Sequence, residues 1–203
     1  MKGASTGRVP EPITVRESRE QDVGHAAAAS ALIDRVAERF DIARRSPEWL
    51  APKIARRHAA LALLPDGRGG SELVGFGYWS EWEGGKFISH SGLVVRPDLM
   101  GMGLGKRLKL VLFESSKRVY PRATLMSLTT SPQVRRMNLD LGFRIVPLER
   151  LTKDPAFWEG CKTCRNYAAV QARGEICCCE GMILEPGNEE GETTGFSTPN
   201  EPP

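Results

Sequence analysis

No stretch of the 203 residues approaches the roughly 20 consecutive apolar positions that a membrane-crossing helix needs, and mean hydropathy is −0.32. The opening segment MKGASTGRVPEP lacks the apolar core of a secretory signal. These absences predict a cytoplasmic protein without membrane association. Cysteine is missing from the first 160 residues, and all five fall between Cys161 and Cys179. A disulfide-stapled secreted scaffold is therefore excluded, and metal binding, catalysis or thiol burial come first. Lys and Arg are missing from Gly187 to Pro203, which carries four glutamates. The rest of the chain is thus more basic than the net charge of +3 implies. That charge is dispersed, which favours a small anionic ligand over nucleic acid as partner.

What is present, 40% hydrophobic residues, suffices for one moderate core. The Gly-, Pro- and Glu-rich tail, residues 187–203, has too little apolar surface to order itself, and residues 1–11 are likewise expected to be flexible. Residues 12–186 then form one domain, with 151–186 as a cysteine-rich extension. Ile13 to Arg16 reads as a strand, and a helical period runs from Glu20 to Ile42 with Gly24 as a break. Ser46 before Pro47 opens a second helix. His58 to Leu64 and Glu72 to Trp82 read as strands, and Gly84-Gly85 turns the latter into Phe87 to Val95. After a glycine-rich turn comes an amphipathic helix. A strand from Thr124 to Thr129, a helix opened by Ser131, a strand from Phe143 and a closing strand from Glu180 to Glu185 follow. The order predicts an α/β (α+β) fold, a mixed sheet of about six or seven strands flanked by helices.

The glycine-rich turn reads Leu93-Val94-Val95-Arg96-Pro97-Asp98-Leu99-Met100-Gly101-Met102-Gly103-Leu104-Gly105-Lys106. A strand running into glycines that open a helix brings backbone N–H groups and the positive helix end to phosphate oxygens. It is not a P-loop, because the spacing is wrong and Arg107 stands where a magnesium-binding hydroxyl belongs. Nor is it the dinucleotide fingerprint, because the glycines read G-x-G-x-G. The segment resembles the acyl-CoA motif of the GNAT superfamily of N-acetyltransferases, L-x-V-x-P-x-x-R-G-x-G-x-G/A, departing at Met100. The stretch from Ser131 through Val134, Met137 and Asn138 to Gly142-Phe143 is similar to a later motif of that superfamily. It departs at Ser131 (for Asn) and at Asn138 (for Tyr).

The resemblance implies a centrally splayed sheet and an acetyl-CoA or other short acyl-CoA cosubstrate. Its diphosphate would lie on the backbone of Met100, Gly101, Met102, Gly103, Leu104, Gly105 and Lys106, and its thioester would meet the backbone of Leu93, Val94 and Val95. The partner would be a small-molecule amine, and a homodimer is compatible with the family. Family members with a glutamate base place it near Ser91 and Gly92, so the proton acceptor is sought elsewhere. His90 has a suitable ordinary pKa, but strand alternation sends it and Ser91 to opposite faces. Glu81 and Glu83 beside the hairpin turn are alternatives acting through water or on substrate, and Asn138 is a donor to the leaving sulfur. The segments SEWEGGKF, SGLVVRPD, SLTTSP and AFWEGCKTCRNY, with the cysteine-rich GM-x-L ending, resemble a bacterial subfamily associated with arginine biosynthesis, which implies an amino-acid acceptor such as glutamate. Thr129, Thr130, Arg135 or Arg136 would then hold its carboxylate. A CoA-binding sensor without activity is the alternative function.

In the extension, Cys161-x2-Cys164 precedes Cys177-Cys178-Cys179 by twelve residues. Cys161, Cys164, Cys177 and Cys179 are the simplest zinc set, with Cys177 and Cys179 sharing one face of a strand. Buried free thiols and redox-active pairs are the other readings.

Overall fold

The structure, a computed structural model, describes residues 13–187, so the expectations for residues 1–11 and for most of the acidic tail lie outside it. Seven strands form one sheet: β1 (Thr14–Glu17), β2 (Ala59–Pro65), β3 (Ser71–Trp82), β4 (Phe87–Val95), β5 (Thr124–Thr129), β6 (Arg144–Val146) and β7 (Glu180–Leu184). Their order is β1-β2-β3-β4-β5-β7-β6. All neighbours are antiparallel except β4 and β5. The closing strand β7 is inserted between β5 and β6, so the extension contributes to the interior of the sheet.

Helices α1 (Ala26–Ala37) and α2 (Pro47–Ala55) cover one face. Ser46 caps α2 by accepting the Trp49 N–H, as its place before Pro47 requires. Ile33, Leu50 and Ile54 are fully buried against Leu61, Phe76 and Val94. Helix α3 (Leu104–Val119) covers the other face with Leu104, Leu108 and Leu112. It approaches so closely that a Cβ on Gly75 or Gly77 would stand 2.9 Å from Leu108 or Leu112. The small residues alternating through β3 are the seat of this helix.

Helix α4 (Pro132–Asp140) is capped by the Ser131 hydroxyl, which accepts the Val134 N–H. Two short helices, α5 (Pro155–Glu159) and α6 (Tyr167–Ala172), fill the extension, where the sequence pattern indicated none. The helix predicted from Glu20 to Ile42 is shorter. Glu20–His25 is a 3-10 segment beside Gly24, and the α-helix ends at Ala37. Phe40, 45% exposed, thus belongs to a loop, and its helical spacing was coincidental. Among the described residues no helix is long and apolar enough to cross a membrane.

Candidate active site

Strands β4 and β5 pair only where Phe87, Ile88 and Ser89 meet Thr124, Leu125 and Met126. Beyond Ser89 they separate, and residues 90–95 and 127–131 line a cavity of about 600 Å3. This is the predicted splay. On its other side β4 bulges: Phe76 faces Val94 but Tyr78 faces Ser91, so Gly92 and Leu93 together oppose Gly77. Gly92 sits at φ 61°, and a Cβ there would lie 2.5 Å from the Tyr78 ring. Only glycine fits both the backbone and the contact. The bulge leaves main-chain groups of β4 facing the gap, where a thioester arm can pair with them.

At the end of the gap, Met100, Gly101, Leu104 and Gly105 line the cavity. Gly101 and Gly103 both have φ 82°, and no atom lies within 4 Å of the Cβ either would carry. Gly103 is the N-cap of α3 and offers no side-chain cap. The N–H groups of Leu104, Gly105 and Lys106, first turn of a 16-residue helix, have no intrahelical acceptors. These amides and the helix dipole are able to hold an anion. Lys106 and Met102 flank the turn, and Met100 at 38% exposure supplies an apolar rim where the family motif has a cation or amide. Arg96 is occupied elsewhere, bonding Glu72 and Asp98 at 2.8 Å each.

A second cavity, about 820 Å3, lies beside the first. Asp41, Ile42, Ser91, Gly92 and Leu128 border both. Its walls include Arg45, Lys53, Tyr78, Trp82 and Phe157. The Arg45 guanidinium stands 5.1 Å from the Trp49 ring centre and Lys53 Nζ 5.3 Å from it. Burial lowers the Lys53 pKa and raises that of the Tyr78 hydroxyl, against the opposing influence of Arg45 and Ser91. The Asp41 carboxylate accepts the Thr130 hydroxyl at 3.1 Å and stands 3.8 Å from Arg165. The cavity lining therefore mixes three cations, Arg44, Arg45 and Lys53, with aromatic walls and four carboxylates, Asp41, Glu48, Glu81 and Glu159, of which Asp41 stands at the junction with the first cavity.

The residues singled out in the sequence divide accordingly. Ser91 lies at the junction, and Leu93, Val94 and Val95 line the gap. His90 lines it too, but is 5% exposed and bonds through Nε2 to the Ser116 hydroxyl at 2.9 Å. Burial, then the neighbouring Lys109, hold its pKa well below 6.5. Asn138 is fully buried and donates its amide to Met182 Sδ at 3.4 Å, while Met137 occupies the cavity wall. Glu81 borders the second cavity, but its carboxylate receives the Tyr120 hydroxyl beyond the end of α3. Glu83 accepts the Thr152 hydroxyl at 2.6 Å and the Lys153 N–H at 2.7 Å, fastening the extension to the hairpin turn. Thr129 and Thr130 line the first cavity. Arg135 and Arg136 pair with Glu180 and Asp140 on the surface, outside both cavities.

Sequence reasoning missed Asp41, Arg45 and Lys53, which stand on the α1–α2 loop and α2, far from either motif. It also missed Lys109 on α3, 2% exposed and lining the first cavity. Burial alone brings its pKa to about 7. Its position four residues after Gly105, on the apolar face, was the available signal.

The cysteines gather as well. The sulfurs of Cys177, Cys178 and Cys179 lie within 4.8 Å of one another. Cys161 and Cys179 share hydrogen bonds with Cys177, which lowers the Cys177 pKa to about 3 and raises those of its neighbours. Cys177 and Cys179 precede β7 in a bent segment. The expected two-residue strand period is therefore not what brings them together.

No protein-family model matches the chain, and no curated protein does either. Solved structures do. A CoA- and NLQ-bound structure of Rv2747 from Mycobacterium tuberculosis superposes with a TM-score of 0.58 at 20% identity, covering 85% of this chain and 98% of that one. N-acetylglutamate synthase from Neisseria gonorrhoeae, complexed with coenzyme A and N-acetyl-glutamate, gives 0.58 at 18%, over 86% of this chain but 35% of that longer one. The GNAT superfamily phosphinothricin acetyltransferase from Sinorhizobium meliloti, bound to AcCoA, gives 0.57 at 15%, covering 93% and 94%. With its splayed β4–β5 pair and glycine-bounded helix, this chain has the GNAT acetyltransferase fold.

Proposed function

We propose that the protein is an N-acyltransferase that moves an acetyl or other short acyl group from acyl-CoA to the amine of a small acceptor carrying a carboxylate. The observation that carries this reading is the continuity of three features. The uncapped N-terminus of α3 opens onto the gap beside β4, and the gap meets, at Asp41, Ser91 and Gly92, a second cavity whose lining includes Arg45 and Lys53.

The diphosphate of CoA binds the amides of the glycine-rich turn, and the pantetheine arm pairs with the free edge of β4 between Gly92 and Val95. A main-chain N–H at the bulge stabilises the oxyanion. The acceptor enters from the other side with its carboxylate on Arg45 and Lys53 and its amine toward Asp41. Asp41 attracts the ammonium form, which loses one proton to solvent, and takes the second proton as the resulting neutral amine attacks. The new C–N bond forms as the C–S bond breaks. The thiolate leaves unaided by a tyrosine, since a thiol of pKa about 8.5 is a fair leaving group near neutral pH, and then takes a proton from water. Positioning two substrates in joined cavities supplies much of the rate.

Arg45, Lys53 and Asp41 around one cavity can meet both charged groups of an amino acid, and glutamate is the first to test. CoA release from acetyl-CoA, followed across the free amino acids, should select acceptors with an α-carboxylate over simple alkylamines. CoA binding without release for any amine would instead identify a sensor.

A further inference from the structure

Between Gly160 and Cys179 only one hydrophobic side chain, Val170, is buried. The segment holds a four-residue 3-10 turn and a six-residue helix, neither long enough to be stable alone. Yet it forms part of the acceptor cavity and carries the chain into the interior strand β7. Something other than apolar burial must hold it, and cysteines stand at both of its ends.

The two ends are shaped alike around sulfur. The Cys161-x2-Cys164 segment is closed by the Cys164 N–H donating to the Cys161 carbonyl at 2.9 Å. At the other end the Cys179 N–H donates to the Cys177 sulfur at 3.5 Å. The fifth cysteine, Cys178, has its sulfur within 4.8 Å of those of Cys177 and Cys179 but faces a different partner. Cys178 takes the Asn166 side-chain amide at 3.4 Å, whereas Cys161, Cys164, Cys177 and Cys179 all border the acceptor cavity. Arg45 ties the first pair to the cavity, donating to the Gly160 carbonyl and the Thr163 hydroxyl at 3.0 Å each.

We propose that Cys161, Cys164, Cys177 and Cys179 bind one zinc ion that staples the extension and fixes one wall of the acceptor cavity. Four soft thiolates in two short-spaced pairs suit a tetrahedral, redox-inert ion. With every position filled by sulfur the ion is structural and takes no part in acyl transfer. Its binding free energy substitutes for the apolar contacts that the segment lacks. Cys178 remains a free thiol.

The test is the metal content of the full chain purified under a thiol reductant without chelator. The expected result is about one zinc per chain, retained in Cys178→Ser and lost in Cys177→Ser. Cobalt exchanged into the wild type should show the charge-transfer and visible bands of a tetrathiolate site. Removing zinc with a chelator should increase proteolysis within residues 160–179 while CoA binding at the distant glycine turn persists. Zinc below about a tenth of an equivalent in the wild type, with cobalt giving no thiolate bands, overturns the proposal. So does a non-reduced sample whose mass and thiol count show two disulfides and no metal. The wild-type measurement decides even if Cys177→Ser fails to fold.

Discussion

The Thr130 hydroxyl donates to Asp41 Oδ2 at 3.1 Å, so the end of β5 and the loop after α1 are joined where the two cavities meet. This bond holds the one junction carboxylate in place, and it makes Asp41 and Thr130 unequal partners. Asp41→Asn should lower kcat by about 10²–10⁴-fold, the usual contribution of a positioned base, with CoA affinity unchanged. Thr130→Val, which removes only the bond that orients it, should cost far less. Steady-state kinetics with a fixed acceptor distinguishes them; equal losses would assign Asp41 a structural role.

Arg45 lines the second cavity and also bonds the cysteine-bearing segment. Arg45→Lys should raise KM for a carboxylate-bearing acceptor by about 10-fold, through loss of the bidentate guanidinium, and leave KM for acyl-CoA alone. A change confined to the acyl-CoA term would place the acceptor elsewhere.

Much of this arrangement is legible in the sequence wherever a local rule decides it. Ser46 and Ser131 are read correctly as caps because capping depends on the next three residues. The glycine-rich turn is legible because strand, proline, spaced glycines and amphipathic helix are contiguous. Asp41, Arg45 and Lys53 are not, since nothing in the α1–α2 region says that it folds over the β4–β5 gap. The insertion of β7 between β5 and β6 is equally invisible, because an antiparallel strand reads the same in any slot. Asn138 is the converse case: motif alignment offers it as a donor to a leaving sulfur, while in the fold its amide bonds Met182 in the core and Met137 lines the cavity.

Lys109 makes stability depend on pH in a predictable direction. Burial brings its pKa from 10.5 to about 7. Between these values the unfolded chain holds a proton that the folded chain has lost, so this group makes stability rise with pH across that window. Below pH 7 both states are charged and the full cost of burying the ammonium remains. At about 1.4 kcal/mol per pKa unit, Lys109→Met should stabilise the protein by several kcal/mol at pH 6 and flatten the alkaline rise. Denaturant titrations from pH 6 to 10 measure both; parallel wild-type and variant curves would refute the assignment.

Gly92 tests the bulge. Gly92→Ala places a methyl group against the Tyr78 ring and a side chain at φ 61°. A loss of about 1–3 kcal/mol is expected, together with weaker binding of acyl-CoA, because the exposed edge of β4 must shift. Thermal unfolding and ligand titration read the two effects. An unchanged melting temperature with unchanged affinity would show that the bulge tolerates a Cβ.

The most direct test concerns the backbone amides at the start of α3. Isothermal titration of the full chain should give saturable, one-to-one binding of CoA. It should be at least about tenfold tighter than binding of pantetheine, which has no diphosphate, a difference of about 1.4 kcal/mol or more. No heat with millimolar CoA, or equal affinity for the two ligands, would contradict the account.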